Sequence, residues 1–395
     1  MHVAYIMGQN SGGLPHYTAE LANAVAKQVD VTVLKPDETT ADDVFDDDVN
    51  IVNAFEPTDI SMQNIFDLNL NIYKNSKGLL SYRNIRQMEA LDPDIIHDPT
   101  DEFPQVSLFS YLSDAYTDRP YVVTKHEVKH GGASPILKVA DGVMSLVPDF
   151  PKDAAIVHSE EQQTALQEQN RNFETTEVIP HGVYSFFKDF DYEMPPEEEN
   201  HVLFFGSLIP PKGVEFLVRA VPQIVAELSD FQLTIAGDGE LSQDSREIIG
   251  EYSDHIAVRD DFIPNDEVGE LFERTQLVAL PYREGWQTGH SGTLSTAFAF
   301  GKPVVTSAIG DFPELVGESG AGATVEPENP DALASAIVEI LSDDEKRASM
   351  AESSEALGER LSWENIGEQH VDLYYRLLDA EESHSRSQAL QEMTP

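Results

Sequence analysis

LFFGSLIPPKGVEFLVRAV, residues 203–221, joins a short apolar strand to an amphipathic helix through a turn rich in glycine and proline. Past the turn, Val214, Leu217, Val218, Val221, Ile224, Val225 and Leu228 recur at helical spacing. The same grammar, a β-branched run followed by a helical pattern, repeats in both directions along the chain. Upstream runs lie at 2–7, 31–34, 50–54, 94–97, 121–124 and 155–158. Downstream runs follow 202–206 at 231–236, 256–258, 277–281 and 303–307. Strands alternating with helices predict parallel sheets built from right-handed βαβ units. Between the two series, KDFDYEMPPEEEN at 188–200 is acidic, has two prolines and lacks periodicity, so it reads as a linker. The expected architecture is α/β, with two Rossmann-like, doubly wound domains facing a central cleft. The first domain spans 1–190 and is completed by a C-terminal helix at 363–380, the second spans 200–362, and 381–395 reads as a flexible tail.

Composition narrows the function. The chain has 395 residues, 41% of them hydrophobic, enough for two packed cores. It has no cysteine, which excludes disulfides, thiolate metal sites and thiol nucleophiles. The start, MHVAYIMGQNSGG, lacks the basic opening and longer apolar stretch of a secretory signal, so a cytoplasmic enzyme is expected. Seventy-one acidic residues face 25 basic ones, a net charge of −46. Repulsion on that scale destabilises a compact fold at low ionic strength and is screened in molar salt, which predicts a salt-adapted protein. No basic stripe exists to neutralise phosphates, so nucleic acid is not an expected partner.

Against that background single cations stand out. Lys212 is the sole lysine among six lysines and arginines between 201 and 300. It stands just before a helix start, where a cation is disfavoured by about a few tenths of a kcal/mol unless an anion lies between. A solvated loop lysine is the bland alternative. In open parallel sheets, ligands bind beyond the carboxyl ends of strands. There, GQNSGGLPHY at 8–17 places Gly8, Gly12 and Gly13 before a helix, either a tight turn or a close backbone approach to a ligand. It is not G-x-G-x-x-G, and the second strand ends in VTVLKP without an acidic residue, which disfavours a dinucleotide site. PYREGWQTGHSGTLSTAFAFGKPVVTS at 281–307 puts the amides of Ser291, Gly292 and Thr293 at a helix start, suited to a phosphate pair or to ordinary capping.

Together these segments resemble the GT4 family of retaining GT-B glycosyltransferases, here as an acidic, haloarchaeal-type member. The resemblance spans SGGLPHYTAELANAV, RPYVVTKHEV, AAIVHSEEQ, VIPHGVY, LFFGSLIPPKGVEFLVRAV, LTIAGDGEL, the 281–307 block, DFPELV and GATVEPENPDALASAI. It implies transfer of a hexose from a nucleotide-diphosphate sugar to a glycan or lipid-linked acceptor, with no protein nucleophile. The Gly12–Gly13 loop would face the donor diphosphate, His126 would lie beside the transferred sugar, and Lys212 would pair with the diphosphate. Gly206 matches the glycine opening that loop, but Ser207 stands where an arginine is usual, and Arg283 is the expected substitute. The family's paired glutamates, E-x7-E, align with Thr288 and Thr296, with Gly289 and His290 between them; Glu284 is the carboxylate left to reach the sugar.

No cofactor or metal is expected, since the D-x-D triplets at Asp46–Asp48, Asp92–Asp94 and Asp189–Asp191 arise readily by chance in so acidic a chain. His97 and His158 read as strand-end residues satisfied by backbone, His181 as cleft wall or turn, and Glu314 as a helix cap or a donor contact. A catalytically weak nucleotide-sugar-binding partner subunit and a nucleotide-sugar epimerase are the competing readings. Base, sugar, acceptor and oligomeric state are left open, and a lipid-linked acceptor would bring peripheral membrane contact.

Overall fold

In the computed structural model, residues 1–58, 72–101, 104–113, 119–126, 128, 152–169, 173–284 and 291–392 are described. The chain divides into two compact units, Met1–Gly182 with Trp363–Pro395, and Val183–Ser362. Residues 188–200, read from sequence as a linker, lie wholly in the second unit. Their acidic side chains explain this: Lys302 Nζ reaches Glu197 at 2.9 Å and Arg274 reaches Glu198 at 3.1 Å.

The first unit contains a seven-stranded sheet, ordered β3-β2-β1-β4-β5-β6-β7. Its strands are β1 (His2–Ile6), β2 (Asp30–Pro36), β3 (Asn50–Phe55), β4 (Ile95–Asp98), β5 (Tyr121–Lys125), β6 (Lys152–Val157) and β7 (Phe173–Val178). The second contains a six-stranded sheet, ordered β10-β9-β8-β11-β12-β13. Its strands are β8 (His201–Phe205), β9 (Gln232–Ala236), β10 (Ile256–Arg259), β11 (Leu277–Leu280), β12 (Val304–Ser307) and β13 (Gly322–Val325). Every pairing is parallel, in the register Val3↔Val31 and Val3↔Ile95 in the first sheet and Leu203↔Thr234 and Val278↔Leu203 in the second. In both sheets the winding reverses beside the first strand, between β1 and β4 and between β8 and β11. These are the topological switch points at which doubly wound sheets bind ligands.

The helix Val214–Glu227 follows its predicted face: Leu217, Val218, Val221 and Ile224 are fully buried. It begins at Gly213, whose φ of +65° is left-handed and whose hydrogen faces the Pro281 carbonyl so closely that a Cβ would overlap it. The last helix, Trp363–Glu392, runs well past residue 380, where the sequence reads a tail. Its Gly367 lets it approach the helix Gly13–Ala26, since a Cβ there would lie 2.8 Å from that of Ala24. The hydroxyl of its buried Tyr374 is 3.0 Å from that of Tyr5 and 2.7 Å from His97 Nδ1. Among the described residues, no helix is long and apolar enough to cross a membrane.

Candidate functional site

At the β8/β11 switch point the second unit builds a chain of polar groups from two loops. The turn Pro210–Lys212 aims Lys212 at the loop after β11. Lys212 Nζ donates to the Tyr282 hydroxyl at 2.5 Å and lies 4.1 Å from the centre of that ring. Tyr282 is fully buried, and its hydroxyl is 2.9 Å from Ser291 Oγ. Ser291 in turn caps the helix Gly292–Ala299, accepting from Leu294 N. Lysine, tyrosine and serine thus tie the two predicted anion loops together. In sequence Tyr282 gives no sign of this role, because an aromatic at a strand end reads as core.

The electrostatics of this spot set it apart. Arg259, Arg274, Lys302, Lys346 and Arg347 of the same unit each pair with a carboxylate within 3.1 Å. Lys212 makes no ion pair among the described residues, in a chain with 71 carboxylates. The first amides of the helix Gly292–Ala299 have no intrahelical acceptor, as at any helix start. A partly exposed ammonium and a helix N-terminus, joined through Tyr282 and Ser291, form an arrangement suited to an anion.

The other predicted donor residues take varied positions. Gly206 adopts φ +122°, and a Cβ there would lie 3.4 Å from Thr293 Oγ1. Thr293 Oγ1 donates to the Phe205 carbonyl at 3.0 Å, holding the helix start against the end of β8. Gly292 abuts Tyr184, with 2.8 Å between an added Cβ and the ring. Ser207 and Glu284 are exposed. Arg283, expected to stand in for the arginine absent at 207, is engaged by Glu215: its Nε donates to Glu215 Oε1 at 2.9 Å, and its guanidinium lies 5.0 Å from the Phe216 ring centre. Thr296 is 1% exposed and its hydroxyl donates to the Gly292 carbonyl at 2.9 Å, so it faces its own helix. Thr288, Gly289 and His290 lie outside the described residues. Glu314 is exposed in the first turn of the segment Pro313–Glu318.

A pocket of about 240 Å³ lies on the same unit, lined by Leu208, Pro210, Glu215, Arg219, Asp244 and Arg283 among others. Both arginines there have acidic partners, Arg219 with Asp244 at 3.8 Å and Arg283 with Glu215. That leaves Lys212 as the stronger anion site.

In the first unit the candidate residues again follow strand ends. Gly12, at φ +87°, caps the helix Gly13–Ala26, and His16 Nδ1 lies 3.0 Å from the Gly12 carbonyl. His126 follows β5; its Nε2 faces the Pro99 carbonyl at 2.9 Å and its Nδ1 lies 3.1 Å from His158 Nε2. His158 Nδ1 faces the Ile179 carbonyl at 3.0 Å, so backbone satisfies one nitrogen only. His97 is satisfied by side chains instead, Tyr374 and Thr124. Burial holds His97 well below the ordinary histidine range and lowers His370 to about 4. His181 is buried beside Tyr17, with ring centres 4.9 Å apart. Asp98, also fully buried, accepts from Thr100 N, Thr100 Oγ1 and Asp101 N, yet burial still raises its pKa. Among the described residues, no group of three or more histidines and carboxylates is arranged to hold a metal ion.

Residues 199–343, which hold the Lys212–Tyr282–Ser291 chain, match the family described as glycosyl transferases group 1. An uncharacterized glycosyltransferase of Methanocaldococcus jannaschii is 30% identical over 184 residues, 45% of each chain, so the match spans about half that relative's length. Among solved structures, a sucrose-phosphate synthase from Thermosynechococcus elongatus superposes with a TM-score of 0.71 at 20% identity, covering 96% of this chain and 100% of that one. Anabaena Alr3699/HepE, in complex with UDP and glucose, superposes with a TM-score of 0.69 at 18% identity, covering 95% and 100%. The chain therefore has the GT-B fold of glycosyltransferases, and its segment 199–343 matches the glycosyl transferases group 1 family.

Proposed function

We propose that the chain is a retaining, GT4-like glycosyltransferase that moves a hexose from a nucleotide-diphosphate sugar to a glycan or lipid-linked acceptor. The observation that carries this reading is Lys212, without a carboxylate partner among the described residues and hydrogen-bonded to Tyr282 at the β8/β11 switch point. As the bond from sugar to phosphate breaks, negative charge develops on the terminal phosphate oxygen. The Lys212 ammonium and the amides at Gly292 and Thr293 stabilise it, and Tyr282 holds the ammonium in place beforehand. This is electrostatic preorganisation, and it needs neither a cofactor nor a protein nucleophile. The departing phosphate takes the proton of the incoming hydroxyl, and the sugar keeps its anomeric configuration.

Anabaena Alr3699/HepE holds UDP and glucose on this fold, so a UDP-hexose is the first donor to try. The E-x7-E glutamates are absent and Thr296 is turned inward, which assigns a weaker grip on the donor ribose than a carboxylate would give. We place the enzyme in a salt-rich cytoplasm, meeting any lipid-linked acceptor at the membrane surface. The test is transfer of labelled hexose to acceptor pools in about 2–3 M KCl, a regime that screens the net charge. Turnover that falls roughly 30- to 900-fold in Lys212→Ala, the equivalent of about 2–4 kcal/mol, supports the reading. Donor binding without any transfer would reduce the chain to a nucleotide-sugar-binding subunit, and sugar interconversion without an acceptor would make it an epimerase.

A further inference from the structure

Four adjacent strand ends of the first unit meet at one pair of imidazoles. His126 follows β5 and His158 follows β6, while the carbonyls that receive them, Pro99 and Ile179, follow β4 and β7. A carbonyl oxygen only accepts, so the nitrogen facing it must carry hydrogen. His126 Nε2, 2.9 Å from the Pro99 carbonyl, and His158 Nδ1, 3.0 Å from the Ile179 carbonyl, are therefore both N–H donors. The two remaining nitrogens, His126 Nδ1 and His158 Nε2, face each other at 3.1 Å. Were both rings neutral, two lone pairs would oppose each other at hydrogen-bond distance. One further proton between them removes that repulsion and leaves the pair with a single positive charge.

We propose that His126 and His158 form a proton-sharing dyad that carries one positive charge at neutral pH, with His158 and Gln162 as the positioning residues for His126. Gln162 clamps both backbones: its side-chain oxygen accepts from His158 N at 2.7 Å, and its Nε2 donates to the His126 carbonyl at 3.2 Å. Its own N donates to Ser159 Oγ, the cap of the helix Glu160–Glu168. The Tyr17 ring packs against both imidazoles, 4.5 Å from the His126 ring at an interplanar angle of 89° and 5.7 Å from the His158 ring at 62°.

Among the described residues, the titratable groups on the surrounding elements include Asp98 at the end of β4 and Asp101 beyond it, Lys125 on β5, Lys152 and Asp153 at the start of β6, His16, Tyr17 and Glu20 on the helix Gly13–Ala26, Glu160 and Glu161, Glu174 and Glu177 on β7, and His181. Asp101 is paired with Lys125, and Glu177 with Arg376. His97, kept neutral by burial, adds no competing cation. Both ring nitrogens of His126 are thus committed within the fold, so it acts through a stationary charge and not by accepting a proton from an incoming hydroxyl. The dyad rests on geometry alone; only its bearing on catalysis rests on the glycosyltransferase reading above.

The test is ¹⁵N NMR of the full chain labelled at the histidine rings, with His126→Asn and His158→Asn spectra for assignment. We expect coupling across the Nδ1···Nε2 hydrogen bond and loss of the shared proton only above about pH 7.5, against an ordinary histidine midpoint near 6.5. Each asparagine variant should bring the surviving ring's midpoint back to about 6.5 or lower, and Gln162→Leu should move the pair's midpoint the same way. Two neutral rings in the wild type at pH 7, or a His158→Asn spectrum in which the His126 signals are unmoved, would overturn the dyad. If the asparagine variants do not fold, the wild-type spectrum decides by itself, since coupled nitrogens identify each other. With a transferable donor in hand, the basic limb of the kcat–pH profile should coincide with the dyad's midpoint and be displaced in His158→Asn. A chain inactive on every sugar tried would sink the functional reading and leave the NMR result standing.

Discussion

Replacing Tyr282 with phenylalanine removes one oxygen atom from the centre of the polar chain and leaves the ring. That oxygen accepts from Lys212 Nζ at 2.5 Å and touches Ser291 Oγ at 2.9 Å. Ser291 keeps Leu294 N as a partner and Lys212 is partly exposed, so neither becomes a fully orphaned buried group. The stability cost is therefore that of ordinary buried hydrogen bonds, about 1–2 kcal/mol. Function should suffer more. The ammonium stays over the aromatic face, 4.1 Å from its centre, which retains about 0.5–1 kcal/mol of attraction but does not fix its direction. We expect kcat to fall about 10- to 100-fold, or roughly 1.4–2.7 kcal/mol of transition-state stabilisation, short of the full loss in Lys212→Ala. The assay is a double-mutant cycle of Tyr282→Phe and Lys212→Ala, with kcat and donor KM measured for all four proteins. If the hydroxyl acts by aiming the lysine, the double variant is no worse than Lys212→Ala alone. Additive losses, or a Tyr282→Phe enzyme with wild-type kcat, would refute the reasoning.

Three further outcomes follow from particular residues. Gly213→Ala forces a side chain into left-handed backbone and against the Pro281 carbonyl, so we expect at least about 1–2 kcal/mol of destabilisation from the backbone alone, read from the shift of a urea midpoint. His370, buried and held at about 4, stays uncharged in the folded chain where the unfolded chain already takes up its proton near 6.5. Acidification between these values therefore removes up to about 3 kcal/mol, and His370→Gln should flatten the fall of stability with pH across that window. Finally, a net charge of −46 predicts that melting temperature climbs as KCl rises from about 0.1 M, where the Debye length is about 10 Å, to about 1 M, where it is about 3 Å; a flat or falling curve would contradict salt adaptation.

Much of this fold is legible in the chain because buried parallel strands read as β-branched runs, and eleven of the strands lie where such runs occur. The two unread strands show the limit. FETTEV at β7 is an edge strand with little apolar content, and GATV at β13 is four residues long. The supposed linker failed for another reason: Glu197 and Glu198 find Lys302 and Arg274, 105 and 76 residues away, and local composition carries no trace of such pairs. At the site, Lys212 was legible because cations are rare, and the helix start at Ser291–Thr293 because small residues follow a strand. The connection between them was not, since it runs through Tyr282, whose hydroxyl matters only once two loops meet. Arg283 shows the converse: a cation at the right place in sequence is neutralised by Glu215, in the first turn of the helix Val214–Glu227. His126 and His158 are 32 residues apart and each reads from sequence as a separate strand-end histidine; register across β5 and β6 brings them together.

The most direct measurement is a thermal melt in about 2–3 M KCl with UDP-, GDP- and ADP-sugars, wild type beside Lys212→Ala, under conditions that screen the acidic surface. At about 100 times its dissociation constant, a ligand adds about 2.7 kcal/mol to the folded state. The account predicts that one nucleotide sugar raises the melting temperature of the wild type and that Lys212→Ala, folded but without the ammonium, loses that shift. A folded wild type that no nucleotide sugar stabilises, or a shift that Lys212→Ala retains in full, would contradict the assignment of the donor site to the β8/β11 switch point.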